Sequence, residues 1–407
     1  MDILMNNKKG ITLKTANKFI PEDIHVSLSE NILNITIASV SDLVVSDNLV
    51  ISWTSPDLTD VESYEPIISY VVNINGTEYE TNETSLDASE LIGKGETTIS
   101  VKVKAVLPKV GADNVVAYSP PASYTIETLS VKFPRYKYST SAVAIGSNAY
   151  IFGGESGDLD AIYKFDSVAE TITTLSVKLP TGTSDTSAVA IGSNAYIFGG
   201  KSTYLDTIVK FDSINETITT LSAKLPQVLH STSAVAIGSN AYIFGGSYGN
   251  SDDYSVDIIQ KFDSITETIT TLSATLPKIL NKTSAVGIND NIYIFGGASE
   301  LSNRNNSIYC FNCINETTET LEVTLPSSRY STSAVAIGSN AYIFGGYSST
   351  YLDTIVKFDS INETTETLEV TLPSVRSKTS AVAIGSNAYI FGGYNPTYLN
   401  TIYKFTV

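Results

Sequence analysis

The chain has 407 residues, of which 42% are hydrophobic and 16% are charged. This composition can fill a hydrophobic core and excludes an intrinsically disordered chain. The 25 Lys and Arg against 42 Asp and Glu give a net charge of −17, which excludes a general attraction to nucleic acid or to an anionic membrane. Two Cys exclude a disulfide framework, and two His offer little for a metal site, so we expect neither a cofactor nor a bound metal.

The first 27 residues, 1–27, are predicted to be an attachment segment. Three short matches within residues 10–27 resemble a module near the start of tail-associated proteins of phages and prophages of Gram-positive bacteria. They read Gly10-Ile11-x-Leu13, Ala16-Asn17-Lys18-Phe19 and Asp23-Ile24-x-Val26. The resemblance implies a virion protein, and an ordinary β-hairpin is the alternative for the same residues.

Export through a signal peptide is not expected. Residues 1–9 have no apolar stretch behind a basic segment. The chain also has no apolar run of about 18 residues, the minimum for a membrane span. We therefore expect a protein of the virion or the extracellular space that is released by lysis and does not insert into a membrane.

Residues 28–124 are predicted to form an antiparallel β-sandwich. Alternating apolar stretches at 48–53, 68–74 and 98–106 indicate strands, and Asn75-Gly76 indicates a two-residue hairpin turn. Trp53 followed by Pro56, together with a Val-x-Val-x-Ala run, resembles a fibronectin type III domain. The resemblance implies an immunoglobulin-like sandwich.

Residues 125–407 contain six sequence repeats. The phrase Ala-Tyr-Ile-Phe-Gly-Gly, or a near copy, ends at positions 154, 200, 246, 297, 346 and 393, with spacings of 46, 46, 51, 49 and 47 residues. A period of about 48 residues is typical of a β-propeller blade and is too long for a tetratricopeptide or ankyrin repeat.

Each repeat contains four short stretches that predict strands a to d. In the first repeat they are 141–145, 149–152, 162–165 and 171–179. The last repeat ends after strand c, whereas a spare strand d at 125–133 precedes the first strand a; residues 125–134 match 171–180 at eight of ten positions. The sequence therefore predicts an all-β, six-bladed propeller whose last blade is closed by strands from both ends, which removes open sheet edges.

The repeat resembles the kelch repeat, in which an apolar strand, a Gly-Gly pair, a variable loop and a Tyr-bearing strand follow one another. Kelch repeats usually carry a Trp in strand d, where this chain has Ile172 or Ile218 and, in later units, Glu or Thr. The resemblance therefore depends on the paired glycines and the period.

Differences between the repeats are concentrated in two segments. The a–b and c–d connections are nearly constant, whereas the five residues between strand d and the next strand a, called here the window, and the b–c loop both vary. In an up-and-down blade these two variable connections emerge on the same face. We therefore expect function on that face and supporting turns on the other.

The six windows hold seven basic residues and one acid, whereas the b–c loops hold nine acids and two bases. Because the windows cross toward the axis, we expect a basic centre and an acidic rim. Arg and Lys suit a carboxylate or phosphate, and Tyr offers a flat contact for a sugar. The predicted ligand-binding residues are Arg135, Tyr136, Lys137, Tyr138, Lys278, Lys282, Arg329, Tyr330, Arg376 and Lys378.

The alternative for these cations is that they pair with the acids of the rim and only solvate the face. Tyrosines at 204, 351 and 398 recur in Thr-Tyr-Leu and are more typical of packing, whereas Tyr248, Tyr254, Tyr347 and Tyr394 vary more and are better contact candidates.

Motifs for catalysis are missing from the sequence. No Gly-x-Ser-x-Gly elbow or P-loop occurs, and kelch-type copper oxidases need more than the single propeller histidine, His230. Cys310 and Cys313 have the C-x-x-C spacing, but residues three apart on a strand point to opposite faces, so we expect no redox or zinc function.

Together these features predict a non-catalytic binding protein, a tail-fibre or baseplate component of a phage or prophage. Its expected partners are a glycan or protein of the host surface and other virion structural proteins, and homo-oligomerisation stays open. Two alternatives remain: a purely structural spacer or decoration protein of the virion, and a carbohydrate-active enzyme built on a kelch propeller.

Overall fold

The computed structural model describes residues 124–249, 254–300 and 303–407, together with the backbone of eight short strands before them. The chain divides into two compact units, 1–123 and 124–407. No helix in the described part of the chain is long and apolar enough to cross a membrane.

The strands described in the first unit form three small antiparallel sheets with the orders β1-β2, β3-β4-β7 and β6-β5-β8. Their bounds are β1 Ile24–Val26, β2 Ile35–Ile37, β3 Val44–Val45, β4 Val50–Ser52, β5 Ser69–Ile74, β6 Thr77–Thr81, β7 Ser85–Asp87 and β8 Val101–Val106. Ile74 pairs with Thr77, the register that the Asn75-Gly76 turn predicts. The remaining parts of the attachment segment and of the fibronectin-like sandwich lie outside the described residues, and both stay predictions.

The second unit is a six-bladed β-propeller, as the repeats predict. Each blade is a four-stranded antiparallel sheet with its strands in the order a-b-c-d. Blades 1 to 3 comprise β10 Ser141–Ile145, β11 Asn148–Phe152, β12 Ile162–Asp166 and β13 Thr171–Thr174; β14 Ser187–Ile191, β15 Asn194–Phe198, β16 Thr207–Asp212 and β17 Thr217–Lys224; and β18 Ser233–Ile237, β19 Asn240–Phe244, β20 Ile258–Asp263 and β21 Thr268–Thr275.

Blades 4 to 6 follow the same plan. Blade 4 carries an extra hairpin in its b–c loop, formed by β24 Ala298–Glu300 and β25 Asn303–Arg304. The other strands are β22 Ser284–Ile288, β23 Asn291–Phe295, β26 Ser307–Asn312 and β27 Thr317–Thr324; β28 Ser333–Ile337, β29 Asn340–Phe344, β30 Thr354–Asp359 and β31 Thr364–Thr371; and β32 Ser380–Ile384, β33 Asn387–Phe391 and β34 Thr401–Thr406.

The ring closes through both ends of the propeller. Strand β9, Thr125–Lys132, pairs antiparallel with β34 and supplies strand d of blade 6. Phe405 pairs with Ile126, and Thr406 pairs with Thr125. The predicted closure is therefore confirmed, and it pairs the edge that strand c of the last blade would otherwise expose.

The hydrophobic core lies between neighbouring blades. Phe165 of blade 1 contacts Tyr389 of blade 6, with ring centroids 5.0 Å apart, and the same contact recurs between other neighbours. Along strand a, Val143 is buried while Ala142 and Ala144 are only partly buried. The small residues of the six strands a line an axial channel of about 230 Å³. Alanine fits here because six strands converge on the axis.

Strand d of blade 1 is shorter than the predicted 171–179. It ends at Thr174, whereas strand d of blades 2 to 5 has eight residues. In blade 2 the end of strand d pairs with Thr207, but strand c of blade 1 begins one position later, at Ile162. Isolated backbone hydrogen bonds continue beyond Thr174, from Leu175 to Ile162 and from Leu179 to Asp160.

Candidate ligand-binding site

The windows share one backbone conformation that joins the six blades around the axis. The fifth window residue has a φ of 52° to 54° in every blade although it is never glycine. Each N–H at this position donates to the carbonyl of the preceding blade, and six bonds of 2.7–3.0 Å close a ring. This axial ring consists of Ser139, Asp185, Ser231, Lys282, Ser331 and Lys378.

A second ring of hydrogen bonds lies next to the axial ring. The Ser that begins strand a in one blade shares a hydrogen bond with the Thr that precedes strand a in the next blade, as between Ser141 Oγ and Thr186 Oγ1 at 2.8 Å. All six junctions have this pair, and the Thr140–Ser380 pair closes the ring. The mouth of the channel is therefore held by two closed sets of polar contacts.

The third window residue is buried in all six blades. Its carbonyl accepts the N–H of the second glycine in a Gly-Gly pair; Lys137, for example, accepts from Gly393, which is far away in sequence. The six residues are Lys137, Thr183, Leu229, Leu280, Arg329 and Arg376, with exposures between 0 and 3%. Three of the ten predicted contact residues therefore lie inside the blades.

These three buried cations bond to the framework. Lys137 Nζ donates to the carbonyl of Asp158 at 2.7 Å, and burial lowers the pKa of Lys137 to about 8. Arg376 Nη1 donates to the Gly392 carbonyl at 2.9 Å. Arg329 donates to the Gly345 carbonyl at 3.3 Å. Burial lowers the pKa of each arginine to about 10.

The other predicted contact residues remain nearer the solvent. Arg135, Tyr136 and Lys278, at the start of their windows, are exposed. Tyr138, Lys282, Tyr330 and Lys378 are half-buried. Because the axial ring contains two lysines and one aspartate, the expected basic centre is reduced to Lys282 and Lys378.

Acids of the rim have partners other than the window cations. Asp160 pairs with Lys178 of strand d at 3.0 Å, and Asp206 pairs with Lys224 at 3.0 Å. Among the described residues, Lys378 has no carboxylate within salt-bridge distance. Pairing between window and rim therefore does not account for this cation.

Six tyrosines form a continuous set of ring contacts across blades 5, 6 and 1, called here the tyrosine arc. Adjacent centroids are 4.9–5.7 Å apart. In order, the arc consists of Tyr330, Tyr347, Tyr351, Tyr394, Tyr398 and Tyr138. Tyr398 stacks on Tyr138 with an interplanar angle of 5° and is still 49% exposed.

Three cations lie over rings of the arc. Lys282 Nζ is 5.6 Å from the centroid of Tyr330, and Lys378 Nζ is 5.3 Å from that of Tyr138. Arg304, in the extra hairpin of blade 4, has its Cζ 5.4 Å from the centroid of Tyr347. The geometry is that of cation–π contacts.

One acid lies at the end of the arc. Tyr138 donates its hydroxyl to Glu155 Oε2 at 2.6 Å. Burial, reinforced by this carboxylate, raises the pKa of Tyr138 well above its ordinary value. The Tyr138 hydroxyl is therefore a fixed proton donor, and Glu155 is occupied as its acceptor.

The opposite half of the face has a different character. At positions equivalent to those of the arc, blades 3 and 4 have small or polar residues that are buried: His230, Ser247, Asn281 and Ala298. Burial lowers the pKa of His230, whose ring nitrogens lie 3.0 Å from Ser231 Oγ and 2.8 Å from the Gly249 carbonyl. Blade 3 has one exposed aromatic pair, Tyr248 and Tyr254, with centroids 5.2 Å apart.

The sequence predicts part of this site. Tyr138 and Tyr330 are among the predicted ligand-binding residues, and Tyr347 and Tyr394 are contact candidates because these positions vary between blades. Tyr351 and Tyr398 recur in Thr-Tyr-Leu and are predicted to pack, yet both belong to the arc. Arg304 is not among the predicted residues; it lies in the hairpin of the blade 4 b–c loop.

The described residues contain no group of three or more His, Cys, Asp or Glu side chains that could hold a metal ion. Cys310 and Cys313 are free thiols. Burial raises the pKa of Cys310 to about 12 and that of Cys313 to about 11. Neither has the thiolate character that nucleophilic or redox chemistry needs.

Comparisons with known proteins agree with the repeat and the fold. Residues 230–407 match the model of the KLHDC2/KLHL20/DRC7 Kelch-repeats domain. The solved structure titled "Structure of YjhT" matches with a TM-score of 0.59 and 15% identity, over 66% of this chain and 94% of that one. No curated protein matches the chain. Residues 230–407 are therefore similar to a kelch-repeat domain, and the second unit has the fold of a six-bladed β-propeller.

Proposed function

We propose that this protein is a non-catalytic, virion-associated binding protein of a phage or prophage, in a tail fibre or baseplate. It recognises a glycan or protein of the host cell surface through the face formed by the windows and b–c loops. The observation that carries the proposal is the contrast between a common backbone and differing side chains. All six windows share the axial ring, yet the windows and b–c loops together present a tyrosine arc on one half of the face and buried small or polar residues on the other.

A catalytic role receives no support from the described side chains. The propeller histidine is buried and hydrogen-bonded, and both thiols have raised pKa values. Recognition needs only a rigid surface, which two closed hydrogen-bond rings supply. Many copies on one particle would convert weak single contacts into firm adhesion.

The virion assignment depends on the resemblance of residues 10–27, which lie largely outside the described residues. It predicts that the protein purifies with phage particles and that other virion proteins bind its N-terminal unit. Mass spectrometry of purified particles tests this part, and absence of the protein from particles would overturn it.

The binding assignment is tested with the purified full chain on candidate host cells. Tyr398→Ala removes an exposed ring of the face, whereas Ile214→Ala removes a side chain that is 77% exposed in the constant c–d turn of the other face. We expect Tyr398→Ala to weaken adsorption and Ile214→Ala to leave it unchanged. Equal adsorption of both variants would move the site off this face. Absence of adsorption by the unaltered protein would favour the structural role in the virion, and turnover of a saccharide would favour the enzyme.

A further inference from the structure

We propose that the tyrosine arc binds a linear glycan that carries carboxylate or phosphate groups and lies across blades 5, 6 and 1. This inference rests on the proposed function because it uses the same face, and it names the ligand class and the half of the ring that takes it.

The two faces of the propeller differ in the kind of apolar side chain that they expose. On the constant face the exposed large hydrophobic residues are aliphatic and occupy the c–d turns: Val168, Ile214, Ile265, Ile314 and Ile361. On the variable face they are four tyrosines and Ile279; the tyrosines are Tyr136, Tyr248, Tyr254 and Tyr398. A tyrosine offers a flat apolar surface with a polar hydroxyl at its rim, which matches a sugar ring with one apolar face and a hydroxylated edge.

The shape of the arc favours an elongated ligand. From Tyr330 to Tyr394 the rings follow one another in single file, with successive centroids 5.6, 4.9 and 5.7 Å apart. At the far end Tyr394, Tyr398 and Tyr138 contact one another. Binding energy in protein–protein interfaces is concentrated in a compact, desolvated centre. A narrow file of half-exposed rings instead suits a chain that contacts one ring after another.

The charges along the arc favour an anionic chain. Arg304 and Lys378 contact rings of the arc, and neither has a carboxylate within salt-bridge distance among the described residues. The Nε of Arg304 is buried and has no acceptor in the described part of the chain. Arg binds carboxylate and phosphate through its planar set of donors, and Lys binds them as a point charge. The arc contacts three cations, Lys282, Arg304 and Lys378, and one acid, Glu155. An anionic ligand explains this local excess of positive charge in a chain of net charge −17.

The same face provides an internal control. Tyr248 and Tyr254 of blade 3 are 43% and 42% exposed, close to the 49% of Tyr398. Their rings contact each other at 5.2 Å, but no cation contacts either ring among the described residues. Tyr254→Ala therefore removes a comparable aromatic surface outside the arc.

The experiment titrates the full chain, by calorimetry, with galacturonate oligomers, neutral malto-oligomers of equal length and linear polyphosphate. We expect the galacturonate oligomers to bind in a salt-sensitive manner. Tyr398→Ala and Lys378→Met should each weaken this binding about tenfold, in line with the loss of one aromatic or charged contact. Tyr254→Ala should leave it unchanged, and near-UV circular dichroism verifies that each variant is folded.

Three results would overturn the inference. If neutral oligomers bind as tightly as galacturonate oligomers, the ligand need not be anionic. If polyphosphate binds as tightly as galacturonate oligomers, the ligand need not contain a sugar ring. If Tyr254→Ala and Tyr398→Ala weaken the binding of galacturonate oligomers equally, the arc is not the binding site.

Cell adsorption separates this inference from the proposed function. If host cells bind the protein in a Tyr398-dependent manner while no saccharide does, the ligand is a protein, so the inference fails and the proposed function stands. If neither cells nor saccharides bind, both fail.

Discussion

Arg376 lies over the ring of Tyr403, with its Cζ 3.7 Å from the ring centroid, inside blade 6. Lys137 and Tyr163 occupy the equivalent positions of blade 1, with Nζ 5.8 Å from the centroid. The basic residue at the third window position is thus packed against strand c of its own blade. The cations of the windows therefore fall into a buried set that supports the blades and an outer set that is accessible to a ligand.

Arg376→Ala should destabilise the propeller. The change removes a guanidinium that is 1% exposed and donates to the Gly392 carbonyl, Ser374 Oγ and Thr401 Oγ1. We expect the free energy of unfolding to fall by about 2–5 kcal/mol, as for other large-to-small changes in a core. This free energy is measured by urea unfolding. The signal is the near-UV circular dichroism of tyrosine, because the only Trp, Trp53, precedes the propeller and would not report on it.

The control for this change is Arg135→Ala, since Arg135 belongs to the adjacent window and is exposed. Its free energy of unfolding should stay within about 0.5 kcal/mol of the unaltered protein. Similar stability of the two variants would contradict the division of the cations by burial.

Lys137 should make stability depend on pH in the alkaline range. Burial lowers its pKa from 10.5 to about 8, partly offset by Asp158 and Asp160. Between these two values the unfolded chain keeps the Lys137 proton and the folded chain releases it, so this group makes the free energy of unfolding rise with pH. Lys137→Leu, which installs the residue of blades 3 and 4, should lack that rise. The free energies of unfolding of the unaltered protein and of Lys137→Leu are measured at several pH values from 7 to about 10. Titrations of tyrosines, which both proteins share, cancel in the difference between the two free energies. A difference that does not change with pH would refute the lowered pKa of Lys137.

Gln260→Val should stabilise blade 3. Gln260 is 0% exposed, and neither its Oε1 nor its Nε2 has a hydrogen-bond partner in the described residues. Val209 and Val356 fill the same position in blades 2 and 5. Removing a buried unpaired amide should raise the free energy of unfolding by about 1–3 kcal/mol. The reciprocal change Val209→Gln should lower it by a similar amount, and a gain in stability from that change would argue against the explanation.

Gly199→Ala should be far more harmful than Gly192→Ala, although both glycines have a φ of 61°. A Cβ on Gly199 would collide with the carbonyl oxygen of Leu229, whereas a Cβ on Gly192 would meet nothing within 4 Å. Both variants carry the same backbone strain of about 1 kcal/mol. The difference in stability between them therefore measures the cost of the close contact between blades. Thermal unfolding of the two variants measures it, and equal melting temperatures would show that backbone strain alone explains the double glycine.

Cys310→Lys should complete a missing contact between blades 4 and 5. A strand-c lysine pairs with the turn glutamate of the next blade at four other junctions around the ring: Lys164–Glu216 at 3.6 Å, Lys210–Glu267 at 2.9 Å, Lys261–Glu316 at 2.8 Å and Lys404–Glu170 at 3.1 Å. At the junction of blades 4 and 5 the equivalent residues are Cys310 and Glu363, and Cys310 also pairs across the sheet with Glu319. The new pair is partly exposed, so we expect a coupling of up to about 1 kcal/mol that weakens with salt. A double-mutant cycle with Glu363→Gln measures it, and zero coupling would show that the lysine does not reach Glu363.

The sequence by itself determined the blade number, the strand order and the closure of the ring. Those features can be read from the order of residues along the chain. The Gly-Gly pairs recur at a nearly regular spacing, and the strand d before the first blade complements the strand c that ends the last blade. It also identified the face where the blades differ, because alternating strand direction decides on which face each connection emerges. The separate strand prediction for blade 1 ran past Thr174, because the regular pairing with strand c ends there and only isolated hydrogen bonds follow.

Only the tertiary structure decided which variable residues reach that face. A window has no regular period, and the burial of Lys137 results from contacts with Tyr163 and the Asp158 carbonyl, while the closed ring places Gly393 of the last blade against the Lys137 carbonyl. Tyr330 and Tyr138 become the two ends of one arc for the same reason, although nearly two hundred residues separate them. Contacts between the first and last blades form only when the chain closes on itself, so no local pattern in the sequence encodes them.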